Sequence, residues 1–147
     1  MLKLAVRVNL KLRTKTAGKV VRTSALVNSG FETEKPQLLI PIKLAREIEL
    51  WPPPPEAQIE EFGTAGGPTR NYVVRDALEA SVEAEDRSVG PVTCDAVISN
   101  LEFEVLINDK LGGELGIVLL DLARGKWRFS DDPSDKTRDS TPPQYWM

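Results

Sequence analysis

The chain has no histidine and a single cysteine, Cys94, among its 147 residues. Without histidine there is no Ser-His or Cys-His nucleophile pair, and the commonest transition-metal ligand is missing. A zinc site and a hydrolase triad are therefore argued against, and neither a metal nor a cofactor is expected. One cysteine cannot form an internal disulfide framework. In its apolar strand pattern Cys94 reads as a small buried filler, since nothing nearby would activate it as a nucleophile. No apolar stretch approaches the roughly 18 residues of a membrane span, and no secretory pattern opens the chain. The expectation is a soluble, cytoplasmic protein with no membrane partner.

Acidic residues are missing from the first 31 positions, which hold Lys3, Arg7, Lys11, Arg13, Lys15, Lys19 and Arg22. The net charge is -3, so with +7 in this segment the remainder carries -10. Such a segment suits nucleic acid, or it complements acidic surface in a neighbouring element or subunit. Its spacing favours a structural role. Leu2, Leu4, Val6, Val8, Leu10 and Leu12 alternate with mostly polar residues, the period of a strand with one face in the core. Basic alternation without aromatic stacking residues is a poor nucleic-acid surface.

What is present reads mostly as strands. Thr14 to Lys19, with Gly18, is a hairpin connection, and Val20 to Val27 returns as a second strand. Gln37 to Ile40 is a short strand. Pro41 to Leu50 reads as a helix, with Leu44, Ala45 and Ile48 on one face and Lys43 and Glu47 on the other. It cannot pass Trp51-Pro52-Pro53-Pro54-Pro55, a stiff extended loop. That run also suits a proline-recognising module, but within a domain a rigid connection is the simpler role. Ala57 to Gly63 and Arg70 to Glu83 are strand-like around Thr64-Ala65-Gly66-Gly67-Pro68, whose paired glycines supply the positive φ of a mobile hairpin. No lysine and no helix follow, which excludes a phosphate loop. Val92 to Ile98 is another strand. Leu106-Ile107-Asn108 leads into a short helix, with Asn108 as N-cap and Gly116 as C-terminal cap. Ile117 to Leu122 and Lys126 to Phe129 close a domain spanning residues 1–129. Residues 130–147 form a polar, proline-containing tail without a core of its own, though its Tyr145-Trp146 pair suits docking.

The residues with most bearing on function are Ala25-Leu26-Val27-Asn28-Ser29-Gly30, an apolar strand entering a small polar turn. Asn-Ser-Gly alone is a common turn tripeptide. With the hairpin around Ala65, Gly66 and Gly67, and with Ile107-Asn108 running to Leu115-Gly116-Ile117, the order across residues 2–129 resembles the retropepsin-like branch of the aspartic protease family. That resemblance implies an all-β, closed acid-protease barrel with one or two short helices, in which Asn28, Ser29 and Gly30 occupy the catalytic motif. It implies a flap at Ala65, Gly66 and Gly67 that contacts substrate, and a homodimer, because one motif per chain makes half of a two-loop site. The Ser29 hydroxyl would then bond across the dimer.

Three departures from that pattern matter. Asn28 stands where the family has its catalytic aspartate, and a carboxamide neither gives nor takes a proton at ordinary pH. Asn108 stands where a glycine is usual, a mild change if the backbone there is left-handed. The proline run is an addition. Glu32 and Glu34, close to the motif, read as solvated loop charges. The expectation is a pseudoprotease that binds extended peptides by strand addition or serves as a dimeric scaffold. The alternatives are an aspartic endopeptidase silenced by an engineered Asn28, and a basic-faced nucleic-acid-binding β domain.

Overall fold

Alternation decides the first strand. In the computed structural model, which describes residues 5–28 and 31–147, Val6, Val8, Leu10 and Leu12 are buried while Asn9 and Arg13 face outward along β1 (Arg7–Thr14). Leu2 and Leu4 lie outside the described residues. The chain turns through Gly18 and returns antiparallel as β2 (Val20–Val27), pairing Leu10 with Thr23 and Val8 with Ala25.

The remaining elements are β3 (Gln37–Pro41), α1 (Ile42–Glu47), β4 (Gln58–Thr64), β5 (Gly67–Glu83), β6 (Ser88–Ser99), β7 (Val105–Ile107), α2 (Asp109–Glu114), β8 (Ile117–Asp121), β9 (Lys126–Phe129) and β10 (Arg138–Asp139). The large sheet runs β1-β2-β7-β3-β6-β5-β4, and β5 also pairs back onto β1. Six strands therefore close into a barrel with no free edge inside the ring, and β4 hangs outside it on β5. Leu38, Ile40, Leu78, Ala96, Ile107, Leu111 and Leu115 join the β1 residues in one core, so both helices contribute to the barrel filling. The all-β expectation with two short helices and a closed barrel thus describes the molecule.

Local chemistry explains several boundaries. Helix α1 is shorter than the expected Pro41 to Leu50, because Pro41 is its N-cap and the chain leaves through Glu49 at φ 64°. Leu44, Ala45 and Ile48 are its buried face, as their spacing indicates. Trp51 packs edge-on against Tyr72 at 5.7 Å, which ties the start of the proline run to β5. Gly90 sits at φ 125°, where a Cβ would come within 2.8 Å of the Ala80 carbonyl oxygen, so the register shift between β5 and β6 at Ala80 to Val82 has room there for glycine alone. Cys94 is buried on β6, and burial pushes its thiol up to about 12. The basic segment finds acids elsewhere in the chain: Arg7 pairs with Glu104, Arg22 with Glu83 and Lys19 with Glu49.

Residues 130–147 lie along the body. β10 adds to β9 in a three-stranded sheet, and Arg138 bonds both Asp132 and Asp86. The Phe129 ring meets two guanidinium groups, Arg87 at 4.8 Å and Arg138 at 4.9 Å from its centroid. Beyond β10 the chain becomes a strap. Thr141 N donates to Arg7 O (2.9 Å), Gln144 N to Ser24 Oγ (2.7 Å), Trp146 N to Phe103 O (2.7 Å) and Trp146 Nε1 to Thr23 Oγ1 (3.0 Å).

Two outcomes follow. Arg138 pulls the Asp86 carboxyl down to about 2 and holds Asp132 lower still. A carboxyl depressed only in the folded chain stabilises it fully above about pH 4 and loses that contribution as pH falls through the folded value. The Arg138 ties of β10 should therefore weaken as pH falls from about 4 towards about 2, read during acid titration as a fluorescence change of Trp127, over whose ring Arg138 lies. Cys94 should resist a thiol reagent at pH 8 until denaturant unfolds the barrel.

Candidate functional site

Strand β7 brings the site together. It is inserted between β2 and β3, parallel to the first and antiparallel to the second, with Val27 opposite Ile107 and Leu38 opposite Ile107. The ends of β2 and β7 therefore emerge side by side, carrying Asn28 and Asn108. Asn28 N donates to Ile107 O (3.0 Å), Phe31 N to Asn28 O (3.1 Å), and Asp109 N to Phe31 O (3.0 Å). Ser29 and Gly30, the other two motif residues, lie outside the described residues.

Asn108 does more than cap a helix. Its Oδ1 accepts from Leu111 N at 2.9 Å, the N-cap bond expected of it, and also from Gln37 N at 3.0 Å. Its Nδ2 donates to Thr33 Oγ1 (2.8 Å) and to Lys35 O (2.9 Å). The backbone at Asn108 is extended, φ -78° and ψ 169°, so the left-handed explanation for its tolerance is incorrect. The residue is held because a fully buried carboxamide uses both donors and its acceptor to fasten the 33–37 segment onto β7 and α2.

Above this loop stands the β4–β5 hairpin. Thr64 pairs with Gly67 across a two-residue turn of Ala65 and Gly66, and Thr64 Oγ1 donates to Gly67 O (2.5 Å). Of the two glycines only Gly67 has a positive φ, 110°. Ala65 and Gly66 are exposed at the tip. The contact between hairpin and loop comes from lower down: the Phe62 ring meets Phe31 edge-on at 6.1 Å. Beneath lies an apolar row across five strands, Leu26, Leu106, Leu39, Val97 and Val73, each opposite the next in register. None belongs to the barrel's interior core; Leu26 and Leu39 are partly open to solvent, while Leu106, Val97 and Val73 are buried.

Beside that row sits a carboxylate that the sequence reading passed over. Asp95 is 1% exposed; its Oδ1 accepts from Asp76 N (2.9 Å), and its Oδ2 from Gln37 Nε2 (3.1 Å) and Arg75 Nη1 (2.7 Å). Burial opposes its charge, yet the Asp76 amide, Gln37 and Arg75 together hold the carboxyl below the ordinary range. Arg75 also binds Glu60 on β4. The only signal in the sequence is a charged residue in the middle of a mostly apolar strand, Val92 to Ile98. Glu32 and Glu34 are exposed.

Chemically, the described part of the site offers a neutral carboxamide, backbone amides and apolar floor. Among the described residues no group of three or more Cys, Asp or Glu is placed to hold a metal ion, and no helix is long and apolar enough to cross a membrane. No protein-family model matches the chain, and no curated protein matches it either.

Asn108→Ala would leave the buried amides of Gln37 and Leu111 without their acceptor. A cost of about 3 kcal/mol is expected, from roughly 1–3 kcal/mol for each orphaned buried group, measured by urea unfolding. Asn108→Asp should be comparably harmful, because a carboxylate cannot donate to Thr33 or to the Lys35 carbonyl.

Proposed function

We propose that the chain is a catalytically degenerate, retropepsin-like domain that works as a two-fold homodimer and binds extended peptides beneath the β4–β5 hairpin. The observation that carries this reading is the placement of β7 between β2 and β3, which brings Asn28 and Asn108 to neighbouring strand ends, close to Phe31 with its contact to the hairpin's Phe62. With one Asn28 per chain, two copies about a two-fold axis would supply a symmetric pair. Two Asn28 carboxamides cannot share a proton, activate water or protonate a leaving amine. What remains available is recognition: an extended backbone bonding to the hairpin and loop, with alternate side chains meeting Leu26 and Leu39.

The dimer is tested by sedimentation at tens of micromolar protein, with a dimer expected and a monomer overturning the two-loop site. Incubation with an unstructured protein substrate from acidic to neutral pH should give no cleavage. Cleavage blocked by a transition-state peptide mimic would make the chain an enzyme after all. Asn28→Asp should restore measurable peptidase activity if the cleft is otherwise intact. A peptide library should yield extended ligands for the unaltered protein, and absence of binding at millimolar peptide leaves only a scaffold.

A further inference from the structure

The hairpin and the loop below it are joined by an unbroken chain of polar contacts that passes through one buried carboxylate. Glu60 on β4 binds Arg75 on β5, and Arg75 binds Asp95 on β6. Asp95 accepts from Gln37 on β3, Gln37 Oε1 accepts from Thr33 Oγ1 (3.0 Å), and Thr33 in turn accepts from Asn108 Nδ2. The Phe31 and Phe62 rings make a second tie, separate from the polar one.

The backbone shows why a tie is needed at that place. Strand β5 loses register with β6 between Val74 and Leu78, and Asp76 within the break has φ 50°. Above the break β5 pairs with β4 from Gly67 to Val73 and, at Tyr72 to Val74, with β6 as well; below it β5 closes the barrel against β1. A bulge bends a strand and interrupts its ladder, so the short stretch that joins Tyr72 to Val74 to β6 ends at the break without support from the next pair. Both groups that hold Asp95 from β5, the Asp76 amide and the Arg75 guanidinium, come from the break itself.

We infer that Asp95 is a pin that makes the hairpin and the 31–37 segment one cooperative opening unit. A carboxylate this buried is tolerable only while its partners are in place, and removing one leaves charge or donors unpaired. Lifting the hairpin withdraws Arg75 and Asp76, and the exposed Asp95 then loosens Gln37, Thr33 and their hold on Asn108. The hairpin and the 31–37 segment open together or stay shut together. The inference rests on the contacts of the single chain and stands apart from peptide binding and dimerisation.

Amide hydrogen exchange on the full chain tests it. Arg75 touches no residue of the 33–37 segment in the polar route except through Asp95. Arg75→Gln should nevertheless speed exchange at the Gln37 and Asn108 amides about tenfold, together with amides of β4, while Leu10 and Leu12 on β1 change little. Gln37→Ala, cut from the other side, should speed exchange along the hairpin. If Arg75→Gln does not fold, Glu60→Gln severs only the partly exposed outer arm and should give the same pattern more weakly. Faster exchange confined to the hairpin, or a uniform change throughout the barrel, overturns the inference.

Discussion

Three residues, Val105 to Ile107, hold the topology together. Strands β2 and β3 are not paired with each other in the sheet; each is bonded to β7, one parallel and one antiparallel. All three residues of β7 are buried, so its side chains and its backbone groups are committed at once. Without this strand the ring would open between β2 and β3, α2 would lose its footing in the core, and the loop after Asn28 would lose the Ile107 and Asp109 bonds that shape it. So short an element is stable only because its neighbours on both sides complete its ladder.

Much of the outer scaffolding was legible in the sequence. The alternation from Val6 to Leu12 found β1 because a half-buried strand forces a period of two. The turns at Gly18 and at Ala65 to Gly67 were found by their backbone requirements, and Asn108 by its capping chemistry. Legibility failed where the controlling fact is a partner far along the chain. Three residues of β7 carry no period, and nothing local announces that they are central. The closing pair of β1 with β5 sets Leu10 against Val82, a match invisible to any window.

The candidate site divides along the same line. That Asn28 follows directly on a strand was legible from the apolar run before it, and the chemistry of its carboxamide needs no coordinates. Asn108 was seen as a cap but misjudged as a backbone accommodation, because three of its four side-chain bonds go to residues 33–37. Asp95 was hidden for the opposite reason: a charge in an apolar strand looks like an exception until Arg75, Gln37 and the Asp76 amide are seen around it. Buried polar groups are read by their satisfaction, and satisfaction belongs to tertiary structure.

The strap carries a consequence for how the chain is made. Arg7 N donates to Ser140 Oγ, a bond between residues 133 positions apart, and Trp146 reaches back to Thr23. Early strands emerging from a ribosome can form the β1–β2 hairpin at once, but Ser24 and Thr23 stay without these partners until the final residues of the domain have been synthesised. Folding dominated by such distant pairings is slow, and incomplete intermediates expose apolar surface. The nascent chain therefore spends that period with Thr23 and Ser24 of its first hairpin uncovered.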